Sequence, residues 1–125
     1  MKSHTNLEQS KKLAWILPPK SNDLWWNYYS VTIDDTTPLI IHIDEPWVGS
    51  FNWANKSDNI PCWSLAALLD VLPYPQLSKD KLGSGKTGWM VSVYPNDCRY
   101  DSCWHDNPVD ACYEMVIKLH ELKML

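Results

Sequence analysis

Eight tryptophans and six tyrosines against a single phenylalanine constrain this 125-residue chain more than any other feature. All but one of its aromatic rings carry a hydrogen-bonding tip on a large apolar body. Such side chains suit a core with polar partners within reach, or a recognition surface, and they lead toward burial or binding before catalysis. Their place along the chain divides them. Trp26, Trp63 and Trp89 fall in stretches expected to face a core, whereas Trp25, Trp47, Trp53 and Trp104 fall on a second strand face or in loops. Together with Phe51, that second group forms the candidate surface for a ligand or partner.

The length is that of one domain, with enough buried surface for a core that needs no staples. Thr5-Asn6-Leu7-Glu8 has the form of a capping box. It opens a helix expected over about Asn6 to Ile16, with Leu7, Ala14 and Leu17 as its apolar stripe and Pro18-Pro19 as its stop. Leu24–Ile33 and Leu39–Ile43 are aromatic and β-branched runs separated by the turn residues Asp34–Pro38, a hairpin pattern. Asp44–Asn59 is expected to be a long loop. Ser64–Leu72 is a short helix with Ser64 as cap, apolar on nearly all sides and therefore expected inside the domain. Gln76–Thr87 is expected to be a polar loop, Trp89–Tyr94 a strand, and Cys98–Trp104 its returning partner. The clearest element is the last. Asn107 caps, Pro108 suits the first helical position, and Val109, Cys112, Val116 and Leu119 form one apolar stripe as far as about Leu122. Opposite them Glu114 and Lys118 stand at a favourable i,i+4 spacing. The order α-β-β-α-β-β-α predicts an α+β fold, a small antiparallel sheet of about four strands packed with three helices.

Three segments carry a resemblance: Glu8-Gln9-Ser10-Lys11-Lys12-Leu13, Ile60-Pro61-Cys62-Trp63-Ser64-Leu65-Ala66-Ala67-Leu68-Leu69 and Asn107-Pro108-Val109-Asp110-Ala111-Cys112-Tyr113-Glu114-Met115. In this order the chain resembles a family of small uncharacterised proteins of gut bacterial genomes, prophages and other mobile elements. The resemblance implies no particular activity, so no catalytic residues carry over. The resemblance implies an intracellular accessory role in phage or mobile-element biology.

Several motifs suggest chemistry and fall short of it. Gly83-Ser84-Gly85-Lys86-Thr87 ends like a phosphate-binding loop, but Asp80 stands where the first glycine belongs, and a strand-like run follows where a helix is required. Cys98, Cys103, His105 and Cys112 are zinc-type ligands without paired-knuckle spacing, and Cys112 lies on the apolar stripe of the last helix. Cys103, His105 and Asp106 supply a nucleophile, a base and an orienter, which work only if they converge in space. Asp34-Asp35 and Asp44-Glu45 read as turn acids, His42 as an outward strand residue, and His120 as a complement to its helix dipole.

No cofactor and no metal follow from these patterns. The net charge of −4 argues against a nucleic-acid partner, since the only basic group is Lys79, Lys81 and Lys86. The longest uncharged apolar stretch, Leu65–Leu69, is five residues, which argues against a membrane span. Met1–Lys12 has no apolar centre of a secretory signal, so a cytoplasmic location with reduced cysteines is expected. The reading favoured is a non-enzymatic interaction or accessory protein that uses an aromatic patch against a protein partner or its own copy. The alternative is a nucleotide- or sugar-binding protein with an aromatic pocket, and a cysteine-dependent enzyme ranks below both.

Overall fold

In the computed structural model, residues 2–34, 37–42 and 59–125 are described, with 27–34, 37–42 and 59 described by backbone pairing alone. The chain is α+β. Its elements are α1 (Leu7–Ala14), β1 (Leu24–Asp34), β2 (Thr37–His42), β3 (Asn59–Cys62), α2 (Leu65–Val71), β4 (Gln76–Lys81), β5 (Thr87–Val93), β6 (Tyr100–Asp101) and α3 (Pro108–Glu121). The strands form two antiparallel sheets, β2-β1-β3 and β4-β5-β6, in place of the single four-stranded sheet expected. Contacts gather in two compact units, Asn6–Trp63 and Met1–Thr5 with Ser64–Leu125.

In the Asn6–Trp63 unit, α1 starts one residue later than expected. Asn6 is the cap: its side chain accepts from the Gln9 N–H at 2.8 Å, while Gln9 Oε1 accepts from the Asn6 N–H at 3.1 Å. Thr5, the expected cap, is fully buried. The inward face is Ser10 and Leu13, with Leu17 buried beyond the helix end; Ala14, placed on the stripe from sequence, is exposed. After Ala14 the chain tightens, with the N–H groups of Ile16 and Leu17 both donating to the Leu13 carbonyl, before Pro18-Pro19. A turn follows. The Ser21 N–H donates to the Pro18 carbonyl at 3.2 Å, Pro19 takes the second position, and Lys20 has φ +70°. That is the pattern of a type II turn, whose third position ordinarily favours glycine.

The expected hairpin is present as β1 and β2, paired from Tyr28 opposite His42 to Asp34 opposite Thr37, with an irregularity between Thr32 and Asp34. Pro38, expected in the turn, lies in β2 opposite Thr32; β2 is an edge strand, where a missing N–H is tolerated. On its other side β1 pairs with β3, Trp25 opposite Pro61 and Trp26 opposite Ile60. Residue 43 of the expected second strand and residues 44–58 of the expected loop lie outside the described residues, Asp44 and Glu45 among them, as does Asp35; His42 is described by backbone alone. Among the described residues Leu13, Leu17, Trp26, Cys62 and Trp63 are the buried hydrophobic residues of this unit, and α1 packs on β3.

In the other unit, α3 follows its expected pattern. Asn107 accepts from the Asp110 N–H at 2.9 Å, and Pro108 occupies the first turn. Asp110 also receives Lys2 Nζ at 2.7 Å. Val109, Cys112, Met115, Val116 and Leu119 are fully buried, and α3 packs on β5 and α2. Burial pushes the Cys112 thiol up to about 12, so it stays protonated and behaves as a small apolar group. Ser64 caps α2 by accepting the Ala67 N–H, as its position predicts. Ala66 and Asp70 are exposed, so α2 buries one face and not its whole circumference.

Gln76–Lys81, expected as loop, is strand β4, paired with β5 from Gln76 opposite Ser92 to Lys81 opposite Thr87. Its polar residues suit an edge. The glycine-lysine motif is the hairpin loop between them. The Leu82 N–H donates to the Lys86 carbonyl and the Gly85 N–H to the Leu82 carbonyl, both at 2.8 Å, with Gly85 at φ +83°. It links strand to strand, so no helix N-terminus faces it to cradle phosphate. Cys98–Trp104 returns beside β5 only as the two-residue β6, and His105 makes an isolated bridge with Trp89. Among the described residues no helix is long and apolar enough to cross a membrane.

Candidate functional site

The turn after α1 and the β1–β3 pairing build a cleft in the Asn6–Trp63 unit. It encloses about 580 Å³ and is lined chiefly by Leu17, Pro18, Pro19, Trp25, Pro61 and Trp63. Strand alternation explains the two rings. Trp26 points inward and is 6% exposed, so its neighbour Trp25 must point to the opposite face, where it borders the cleft. Trp63 is fixed from behind: its indole N–H donates to Ser21 Oγ at 3.1 Å, and Ser21 Oγ donates to the Pro18 carbonyl at 2.7 Å. Asn22 is also engaged, its Nδ2 donating to the Leu24 carbonyl at 2.8 Å. Three prolines and a tethered tryptophan make the walls stiff.

A second depression of about 420 Å³ adjoins the first, sharing Ala14 and Pro61 and adding Lys11, Trp15 and Ile60. Trp15 is 91% exposed. Sequence reasoning passed over it, although the signal was present. Trp15 stands two residues from both Leu13 and Leu17, which at 100° per residue turns it about 200° from each, away from the core. The expected stripe, built on Leu7 and Ala14, hid that geometry.

Of the five candidate residues, Trp25 lies in the cleft. Trp47, Phe51 and Trp53 lie outside the described residues. Trp104 belongs to the other unit, is 40% exposed and does not line either depression. Trp63 is core, as expected, and at 1% exposed it backs the wall of the cleft without offering an open ring face. Trp89, expected in the core, is half-buried, with Lys79 Nζ lying 5.1 Å from its ring centre. Lys79 stands opposite Trp89 in the β4–β5 pairing, which brings its ammonium over the electron-rich face of the ring.

The cysteine and histidine group resolves differently from its sequence order. The Cys103 N–H donates to Glu114 Oε2 at 2.7 Å, and His105 Nε2 lies 3.3 Å from Glu114 Oε1. Asp106 takes no part in these bonds. Burial opposes ionisation of Glu114, but the Cys103 N–H, His105 and the Cys103 thiol outweigh it and hold the carboxyl below its usual range. Through the Cys103 N–H and the His105 ring the carboxylate ties the segment ahead of α3 to the helix. A nucleophilic relay needs the thiol bonded to the imidazole, and among the described residues the bonds of this group run to Glu114 instead. Lys118, expected to pair with Glu114, instead donates to the Asp101 carbonyl at 3.2 Å. The four cysteines are free, and no group of three or more His, Cys, Asp or Glu among the described residues is placed to hold a metal ion.

The Glu114 shift has a pH consequence. A carboxyl whose folded value is depressed contributes stability in full above its unfolded value, and loses it as pH falls through the folded one. Glu114→Gln is therefore expected to lower stability at neutral pH and to shrink the loss seen on acidification, measured by urea unfolding from pH 7 to about pH 3. Parallel acid limbs in the two proteins would contradict it.

Comparison of the chain with protein-family models, curated proteins and solved structures finds no match.

Proposed function

We propose that this chain is a non-enzymatic interaction protein that takes a protein partner on the tryptophan- and proline-lined cleft of its Asn6–Trp63 unit. The resemblance of its three motifs supports an accessory role within the cell, in phage or mobile-element biology. One observation carries the reading: a tryptophan that is 91% exposed stands beside a stiff apolar cleft that a second tryptophan borders. A ring exposed beside contiguous apolar surface is characteristic of association sites. Tryptophan is also the residue most enriched where binding energy concentrates.

The volume of the cleft supports a second reading, a small planar ligand, because it falls in the range of small-molecule sites. Against it, Ser21, Asn22 and the Trp63 indole spend their polar groups within the protein, leaving few to read a base edge or sugar hydroxyls. Native mass spectrometry of freshly purified protein distinguishes the two, since a retained small molecule would favour the second.

Selection of displayed random peptides on the wild-type protein, counter-selected on a Trp15→Ala/Trp25→Ala variant, tests the first reading. Peptides that bind only the wild type are expected. Enrichment of none, with the variant folded, would reject the cleft as a protein-binding surface.

A further inference from the structure

Resting on that reading, we infer that the occupant of the cleft is an extended, proline-containing peptide segment flanked by acidic residues. The shape comes first. The two depressions lie side by side across a wall formed by Ala14 and Pro61, one bearing Trp15 and the other Trp25, with the buried Trp63 behind it. A polyproline II helix repeats every three residues, or roughly 9 Å, and offers a proline ring at each repeat, so successive turns enter neighbouring aromatic slots. Such a ligand is already extended before binding and loses little entropy on docking.

The hydrogen bonding agrees. A polyproline II segment makes no internal hydrogen bonds and leaves its carbonyls free to accept. The indole N–H groups of Trp15 and Trp25 make no hydrogen bond to any described residue and are available to donate. An added β-strand is the poorer occupant, because Pro61 in the edge strand β3 has no N–H to offer it.

Charge selects the flanks. Lys11 borders the depression of Trp15 and Lys20 that of Trp25, and both lysines are exposed. Among the described residues no carboxylate lines either one, on a chain whose net charge is −4. Lys20 carries a further sign. Its φ of +70° is a conformation in which glycine costs least, so folding alone would not choose lysine there. That conformation holds the cation beside the cleft.

The test uses fluorescein-labelled Asp-Glu-Pro-Pro-Leu-Pro-Pro-Leu-Asp-Glu and two relatives, one with every Asp and Glu replaced by Lys, one with every Pro replaced by Ala. Fluorescence anisotropy is expected to show saturable binding of the first and much weaker binding of the other two. Trp15→Ala, an exposed position that folding does not need, should weaken the first peptide roughly thirtyfold. Trp25→Ala should act in the same direction. Lys20→Gly should remove several-fold of the preference for acidic flanks while its melting temperature stays the same or rises, which separates lost charge from lost structure.

Equal binding of all three peptides overturns this inference. So does selection of cleft-dependent peptides that lack prolines and acids; in both cases the cleft stands as an interaction surface. Absence of any cleft-dependent peptide removes both the inference and the reading beneath it. Dimerisation of the wild type that Trp15→Ala abolishes, seen by sedimentation, overturns the inference in favour of a second copy as occupant.

Discussion

Replacing Met115 with alanine is expected to lower the unfolding free energy by about 2–5 kcal/mol, the usual cost of emptying a fully buried Met, Leu or Ile site. Met115 has no exposed surface and lies on the face of α3 that also carries Cys112, Val116 and Leu119. With α3 packed on both β5 and α2, its neighbours are held by their own elements and collapse only partly into the space. Domains of this kind have a total stability of roughly 5–15 kcal/mol, so the variant should unfold at far lower urea. Met115→Leu keeps volume and apolar character and should cost less than about 1.5 kcal/mol. A Met115→Ala loss no larger than that of Met115→Leu would show that α3 is not the centre of its unit.

Trp26→Ala is expected to cost about 3–5 kcal/mol in the other unit, for a different mixture of reasons. The ring is 6% exposed, and its indole N–H donates to Ser10 Oγ at 3.1 Å on the inward face of α1. Trp26→Phe keeps most of the apolar body and removes the donor, so it isolates a smaller share, about 1 kcal/mol for the hydrogen bond plus the lost ring area. A double-mutant cycle with Ser10→Ala measures the coupling itself, and a value near zero would contradict the bond. Trp15→Ala, a substitution of the same residue type in the same unit, should change stability by less than about 0.5 kcal/mol. These opposite outcomes separate a tryptophan that folds the unit from one that folding does not use.

What could be read in advance followed from whether the deciding forces are local. The last helix was legible because cap, proline and stripe lie within one stretch, from Asn107 to Leu119, and each acts over a few residues. Ser64 announced α2 for the same reason, and the aromatic runs of β1 and β2 announced their hairpin. Strand β4 was not legible. Gln76-Leu77-Ser78-Lys79-Asp80-Lys81 has one apolar side chain, and its pairing is made by backbone groups whose partner lies across the hairpin in β5. Strand β3 is four residues containing a proline, a pattern that signals a strand only once β1 is beside it. At the start of α1 two good capping residues adjoin, and burial of Thr5 decided for Asn6.

The cleft was half legible. Alternation along β1 separated Trp25 from Trp26, which is why Trp25 was a candidate. Trp15 passes unnoticed and Pro18-Pro19 read only as a helix stop, since a wall made by Pro18, Pro19 and Pro61 depends on a strand pairing that spans some forty residues of sequence. The Cys103 and His105 group showed the reverse error. Adjacency in sequence suggested Asp106 as the acid, whereas the turn of α3 supplies Glu114.

The most direct measurement of the cleft as the working surface is a ¹H–¹⁵N spectrum of the tryptophan indole N–H groups during titration with the acid-flanked proline peptide. Movement of the Trp15 and Trp25 resonances, with those of Trp89 and Trp104 unmoved, is the expected result. Movement confined to Trp89 and Trp104, or no movement of any indole at saturating peptide, would contradict it.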